Sequence, residues 1–166
     1  MKVEQFKVLK TLSEATTRMD LHTFAQKVNL TPEETIHQIQ ELAKNGFLQR
    51  VGGGYGITQK GKAALKAFMP VPKDTGFHFY FGIGQPSDFT AETLEQFYRC
   101  IKQVSAESLE FHLYRGDFEK WLKEACGNAE LASEFEAAKA ADLKGEDLRA
   151  GLLKTMDAKY GIDGLL

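Results

Sequence analysis

The 166-residue chain is short of cysteine and proline, and it has no long apolar run. Two cysteines, Cys100 and Cys126, with no C-x-x-C pair, cannot build a disulfide framework and suit a reducing compartment. Four prolines and a charged fraction of 27% exclude a proline-rich or disordered chain. No stretch approaches the roughly 18 apolar residues that cross a bilayer. The opening MKVEQFKVLK lacks the apolar core of a signal peptide. A cytoplasmic protein with no membrane partner is expected. A glycine-rich phosphate loop is also lacking. Gly82-Ile83-Gly84 offers only G-x-G, without a third glycine or an immediately following capped helix, so no nucleotide cofactor is expected.

What is present is an uneven distribution of charge. Residues 1–68 hold ten Lys and Arg against six Asp and Glu, whereas residues 77–166 hold ten against sixteen. A polyanion is drawn to the first part and repelled by the second. The break between them, Met69-Pro70-Val71-Pro72-Lys73-Asp74-Thr75-Gly76, carries two of the four prolines and reads as a short, stiff connection. The expected organisation is a domain over 1–68, a linker over 69–76 and a second domain over 77–166.

In the first part, Val3, Phe6 and Leu9 fall at helical spacing. Asp20 is placed to cap a second helix carrying Leu21, Phe24, Ala25 and Val28. Thr31-Pro32-Glu33-Glu34 forms a capping box with proline at the first helical position. The helix it opens is expected to turn Ile36, Ile39, Leu42 and Ala43 inward, and Asn45-Gly46 ends it. Phe47–Val51 and Tyr55–Thr58 read as two strands around Gly52-Gly53-Gly54, and Thr58 is placed to cap a last helix through Lys62, Leu65 and Phe68.

The residues Leu42, Gly46, Phe47, Leu48 and Arg50, followed by Tyr55, Ile57, Thr58, Gly61 and Leu65, match the pattern L-x-x-x-G-F-L-x-R … Y-x-I-T-x-x-G-x-x-x-L. This segment resembles the winged helix-turn-helix domains of prokaryotic transcriptional regulators. The resemblance implies duplex DNA as a partner, read by the third helix. Thr31, Thr35, His37 and Gln38 are then the candidates for base or phosphate contact, with Lys44, Arg50, Lys60 and Lys62 on phosphates. Glu33, Glu34 and Glu41 face outward on the same helix and oppose phosphate, and the Gly52–Gly54 tip carries no cation of its own.

The second part opens with Phe77, Phe79, Phe81 and Ile83 alternating as on one face of a strand. Thr90 is placed to cap a helix with Leu94, Phe97, Ile101 and Val104 inward. Residues 105–115 fit a helix through Leu109, His112 and Leu113, or a strand through Leu109, Phe111 and Leu113; a parallel strand here would complete a βαβ unit. Asp117 and Asn128 are placed to cap two further helices, and Leu148, Leu152, Met156 and Tyr160 recur every four residues in the last. The fold class expected is mostly α with a small β component: a winged helix-turn-helix followed by a mainly helical domain with one or two short strands.

Ser108, His112, Asp117, Phe118, Trp121, Leu131 and Ala132 give S-x-x-x-H … D-F-x-x-W … L-A. This half resembles a small uncharacterised archaeal and bacterial domain, which implies relatives but no activity. The candidate ligand pocket is His78, Tyr80, His112 and Trp121. His78 and His112 are also candidate metal ligands with Cys100, Cys126 or Glu110, but they lack ligand spacing, and a hydrogen-bonded core histidine is the plainer reading. No metal or catalytic residue is therefore assigned. The expected function is a DNA-binding transcriptional regulator whose acidic half dimerises or senses an effector. The alternatives are a protein-docking winged helix and an enzyme centred on His112.

Overall fold

A computed structural model describes residues 1–163. The chain is mostly helical, with two antiparallel two-stranded sheets among the described residues. It divides into two compact units, Met1–Lys66 and Ala67–Asp163. No helix among the described residues is long and apolar enough to cross a membrane.

The first unit runs α1 (Val3–Glu14), α2 (Leu21–Val28), α3 (Pro32–Lys44), β1 (Leu48–Val51), β2 (Gly54–Ile57) and most of α4 (Gln59–Phe68). Each boundary has a local cause. The Asp20 carboxylate accepts the Thr23 N–H at 2.9 Å and starts α2, which Asn29 ends in the left-handed region at φ 58°. The Thr31 hydroxyl accepts the Glu34 N–H at 3.1 Å while the Glu34 carboxylate accepts the Thr31 N–H at 2.9 Å, so the capping box forms as expected. A two-residue turn at Gly52-Gly53 joins β1 to β2 in the register Leu48 to Ile57 and Val51 to Gly54. Val8, Leu9, Phe24, Val28, Leu42, Phe47, Leu48 and Leu65 close the core.

The inward face of α3 differs from the expected one by a single position. Thr35 is 0% exposed and Ile36 is 42% exposed. Both phases place an apolar residue every three or four positions with Ile39 and Leu42, so the pattern alone does not separate them. Thr35 tolerates burial because its hydroxyl donates to the Thr31 carbonyl at 2.8 Å. Val3 is likewise exposed, and Val8 takes the core position beside Leu9.

The I-T-x-x-G stretch forms the joint between hairpin and helix. The Thr58 hydroxyl donates to the Gly46 carbonyl at 2.6 Å and accepts the Gly61 N–H at 3.1 Å. A Cβ at Gly61 would strike the Phe47 carbonyl oxygen and stand 2.8 Å from Ile57 Cγ2.

The second unit contains β3 (Phe77–Gly82), β4 (Gln85–Ala91), α5 (Leu94–Gln103), α6 (Ala106–Arg115), α7 (Asp117–Glu124), α8 (Ala129–Ala140) and α9 (Gly145–Tyr160). β3 and β4 form an antiparallel hairpin, with Phe77 opposite Ala91 and Tyr80 opposite Pro86. Residues 106–115 are helical, so this segment supplies no parallel strand, and no βαβ unit forms among the described residues. Thr90 belongs to β4, and Thr93 caps α5 by accepting the Gln96 N–H at 3.0 Å. Asp117 is the first residue of α7 and not its cap, which is Gly116 at φ 80°. Phe77 and Phe79 enter an aromatic core with Phe97, Phe118, Trp121 and Phe135. Phe81 and Ile83, expected on the same face, lie at the far end of the hairpin and are exposed. The proline segment is tied into this unit: the Val71 N–H donates to the Glu92 carbonyl at 2.7 Å, and the Trp121 indole N–H donates to the Thr75 carbonyl at 2.7 Å.

The joint at Gly61 generates a prediction. Gly61→Ala should destabilise the protein by about 1–3 kcal/mol, because the added methyl overpacks against backbone that cannot step aside. Urea unfolding checks this, and an unchanged midpoint would contradict the close approach.

Candidate functional site

Two regions carry side chains suited to binding, one in each unit. In the first, α3 exposes Glu33, Glu34, Ile36, His37 and Gln40 along its N-terminal half, and Lys44 at its end. Gln38 is half-buried and Thr35 is internal, so Thr35 is withdrawn as a base contact. The Thr31 hydroxyl is engaged in the capping box. That box also holds the Glu34 carboxyl below the usual carboxylate range, through the N–H and hydroxyl of Thr31.

The cations fall into two groups. Lys60 donates from Nζ to the Asn45 carbonyl at 2.8 Å and lies 4.6 Å from the centre of the Phe47 ring, so it secures the end of α3. Arg50 is exposed, 5.7 Å from the centre of the Tyr55 ring, and Lys44 and Lys62 are exposed. The hairpin tip also has a cation that the sequence reading missed. The Arg18 guanidinium, from the connection between α1 and α2, lies against Gly53, where a side chain would collide with it. Arg18, Val51, Gly53 and Tyr55 line a cavity of about 570 Å³ between this connection and the hairpin. The close approach at Gly53 brings Arg18 to the hairpin, and no spacing rule joins positions 35 residues apart.

In the second unit, α6 grips the backbone of β3 at one residue. The Ser108 hydroxyl donates to the Tyr80 carbonyl at 2.7 Å, and the Tyr80 N–H donates to His112 Nε2 at 2.8 Å. Ser108 and His112 stand four apart on α6, so both reach the same peptide edge. Because Nε2 accepts, the ring proton sits on Nδ1, which donates to Asp117 Oδ2 at 2.8 Å. Both nitrogens are therefore engaged, and the ring is 3% exposed. Burial pushes the His112 pKa below 6.5, and Arg115 adds to that, while Asp117 pulls the other way. This imidazole is a structural group, without a nitrogen free for a metal or for proton transfer to a substrate.

The other candidates separate. His78, Tyr80 and His112 line a cavity of about 400 Å³, whereas Trp121 is a core residue tied to Thr75. Among the described residues no three His, Cys, Asp or Glu side chains come together as a cation site. Burial pushes the Cys100 thiol up to about 11, with Glu95 adding to it, and the Cys126 thiol up to about 12; neither is a ready nucleophile. Cys126 lies just beyond α7 and not within a helix. No protein-family profile, curated protein or solved structure matches the chain.

The grip on Tyr80 has a measurable consequence. The His112 pKa is lower in the folded protein than in the unfolded chain, where it is about 6.5, so the unfolded state takes up the proton first. The stability contributed by the neutral ring is complete above about pH 6.5 and is lost as the pH falls. Urea unfolding at pH 7.5 and 5.5 should show the loss in the wild type and a smaller one in His112→Gln; equal losses would contradict it. Ser108→Ala should cost about 1–3 kcal/mol at both pH values, since it leaves the Tyr80 carbonyl unpaired.

Proposed function

We propose that residues 1–66 act as a winged helix-turn-helix that binds duplex DNA, in a transcriptional regulator whose second unit is an accessory domain. The observation that carries this reading is the pairing of Arg18 with the hairpin that bears Arg50. Two segments distant in sequence bring arginines to one exposed hairpin, beside a helix whose capping box holds its first turn rigid. Arginine is the side chain best matched to phosphate and to a narrow minor groove. The net positive charge of residues 1–68 supports the same partner. Base contact falls to Ile36, His37 and Gln40, the exposed side chains along the N-terminal half of α3 that carry no negative charge. Operators with two-fold symmetry are read by dimers, and a cytoplasmic homodimer is the arrangement proposed.

A second reading has its own observation. Exposed Ile36 among Glu33, Glu34 and Gln40 makes α3 a mixed apolar and acidic face, which suits a basic protein partner.

Duplex binding at increasing salt separates the two. The DNA reading expects affinity to fall steeply with salt, with Arg18→Ala and Arg50→Ala each weakening all duplexes and lowering the log–log slope by about 1. Glu33→Gln should tighten binding by removing a repelling charge, and Gln40→Ala should blur sequence preference alone. Failure to retain any duplex at low salt overturns the reading, and salt-insensitive capture of a basic protein through Ile36 replaces it with the second.

A further inference from the structure

We propose that the cavity between the β3–β4 turn and the end of α6 binds a small organic monoanion with a flat apolar body, of the arylacetate kind, its carboxylate held by Arg115. The site lies wholly within the second unit and is independent of the DNA reading. Its volume, about 400 Å³, falls in the range of small-ligand sites. Its walls are chiefly apolar: Phe77 at the base, Tyr80 and Ile83 on the hairpin, and Phe111 on α6. Ile83 is 84% exposed at the turn, so an apolar body laid against it removes from water a side chain that the fold leaves there.

His78, Tyr80, His112, Arg115 and Asp117 bring polar atoms to the cavity, and the full positive charge among them is that of Arg115. His112 has no free nitrogen. Asp117 Oδ2 accepts from His112 and stands 3.5 Å from Arg115 Nε, so this carboxylate is held from two sides. Arg115 Nε stands 3.5 Å from Asp117 Oδ2, and its guanidinium carbon lies 4.7 Å from the centre of the Phe111 ring. This cation–π contact anchors the guanidinium at the cavity, and its fork of N–H donors is the group suited to receive a carboxylate by two parallel bonds.

Three probes with one ring and different heads test this: phenylacetate, phenylacetamide and phenethylamine, each titrated into the intact chain and followed by NMR at the cavity residues. Phenylacetate should bind at least tenfold more tightly than the isosteric amide, and phenethylamine most weakly. Arg115→Gln should bring phenylacetate down to the level of the amide. Ile83→Ser should weaken all three alike. Both side chains are exposed, and thermal melts of the variants confirm that each is folded. Equal binding of acid and amide, tightest binding of the amine, no movement of cavity resonances with any probe, or an acid preference that survives Arg115→Gln each overturns the proposal.

Discussion

The second unit depends on satisfying one peptide edge. A two-stranded hairpin is marginal in water, and every N–H and C=O that it turns away from its partner must find another acceptor or donor before it can be buried. At Tyr80 the partner across the hairpin is Pro86, which brings no N–H to the ladder. The outward edge is taken by α6, with Ser108 on the carbonyl and His112 on the amide. From there the constraint spreads. His112 can accept from Tyr80 only with its proton on Nδ1, and that proton holds Asp117 at the start of α7. Once α7 is placed, Phe118 and Trp121 meet Phe77 and Phe97, and the indole N–H reaches back to Thr75. Helix, hairpin and proline segment are thus linked by a chain of directional bonds laid over an aromatic core. A core of phenylalanines alone tolerates many arrangements; the polar bonds select one.

The first unit solves a similar problem with smaller parts. Its hairpin meets α4 where Thr58 and Gly61 stand, and one hydroxyl serves as helix cap and as donor to Gly46. The glycine is required by the approach of the Phe47 carbonyl and not by its torsion angles, since it lies within a helix. Both short patterns that suggested relatives, I-T-x-x-G and S-x-x-x-H … D, are accounted for by backbone satisfaction at a junction. A pattern explained in this way fixes a fold and leaves function to the exposed groups around it.

This distinction also decides what was legible in the sequence. α3, with its side-chain cap, and α9, with its four-residue apolar repeat, stand out because cap and period are local signals. β4 does not, because Gln85-Pro86-Ser87-Asp88 reads as a turn and pairs only through its contact with β3. Thr35 and Ile36 exchange roles because a step of one residue turns a helix by about 100° and both phases meet Ile39 and Leu42. Asp117 was legible as a helix-start residue, but its bond goes to a ring five positions earlier, which no capping rule contains. Arg18 was least legible of all. Its position on Gly53 depends on how α1 and α2 pack, and the letters T-T-R-M-D carry no trace of the hairpin it meets.

The capping box bears directly on where an anion can bind the first unit. A helix N-terminus with free amides attracts phosphate through the combined dipole and N–H donors. In α3 the first turn is largely engaged: Pro32 has no N–H, Thr31 accepts the Glu34 and Thr35 N–H groups, and the Glu34 carboxylate returns to Thr31. A phosphate arriving there must displace a carboxylate that is covalently present at high effective concentration, and it meets Glu33 beside it. At about 7 Å and an effective dielectric constant near 40, one such charge opposes another by roughly 1 kcal/mol. The hairpin has no internal anion of this kind. Arg18 and Arg50 are at the surface there, and neither forms an ion pair among the described residues. On the proposed reading, the same capping that defines the start of α3 disfavours an anion at the helix and leaves the hairpin as its place. Affinity then resides in Arg50 of the hairpin and Arg18 beside it, and α3 contributes discrimination through Ile36, His37 and Gln40.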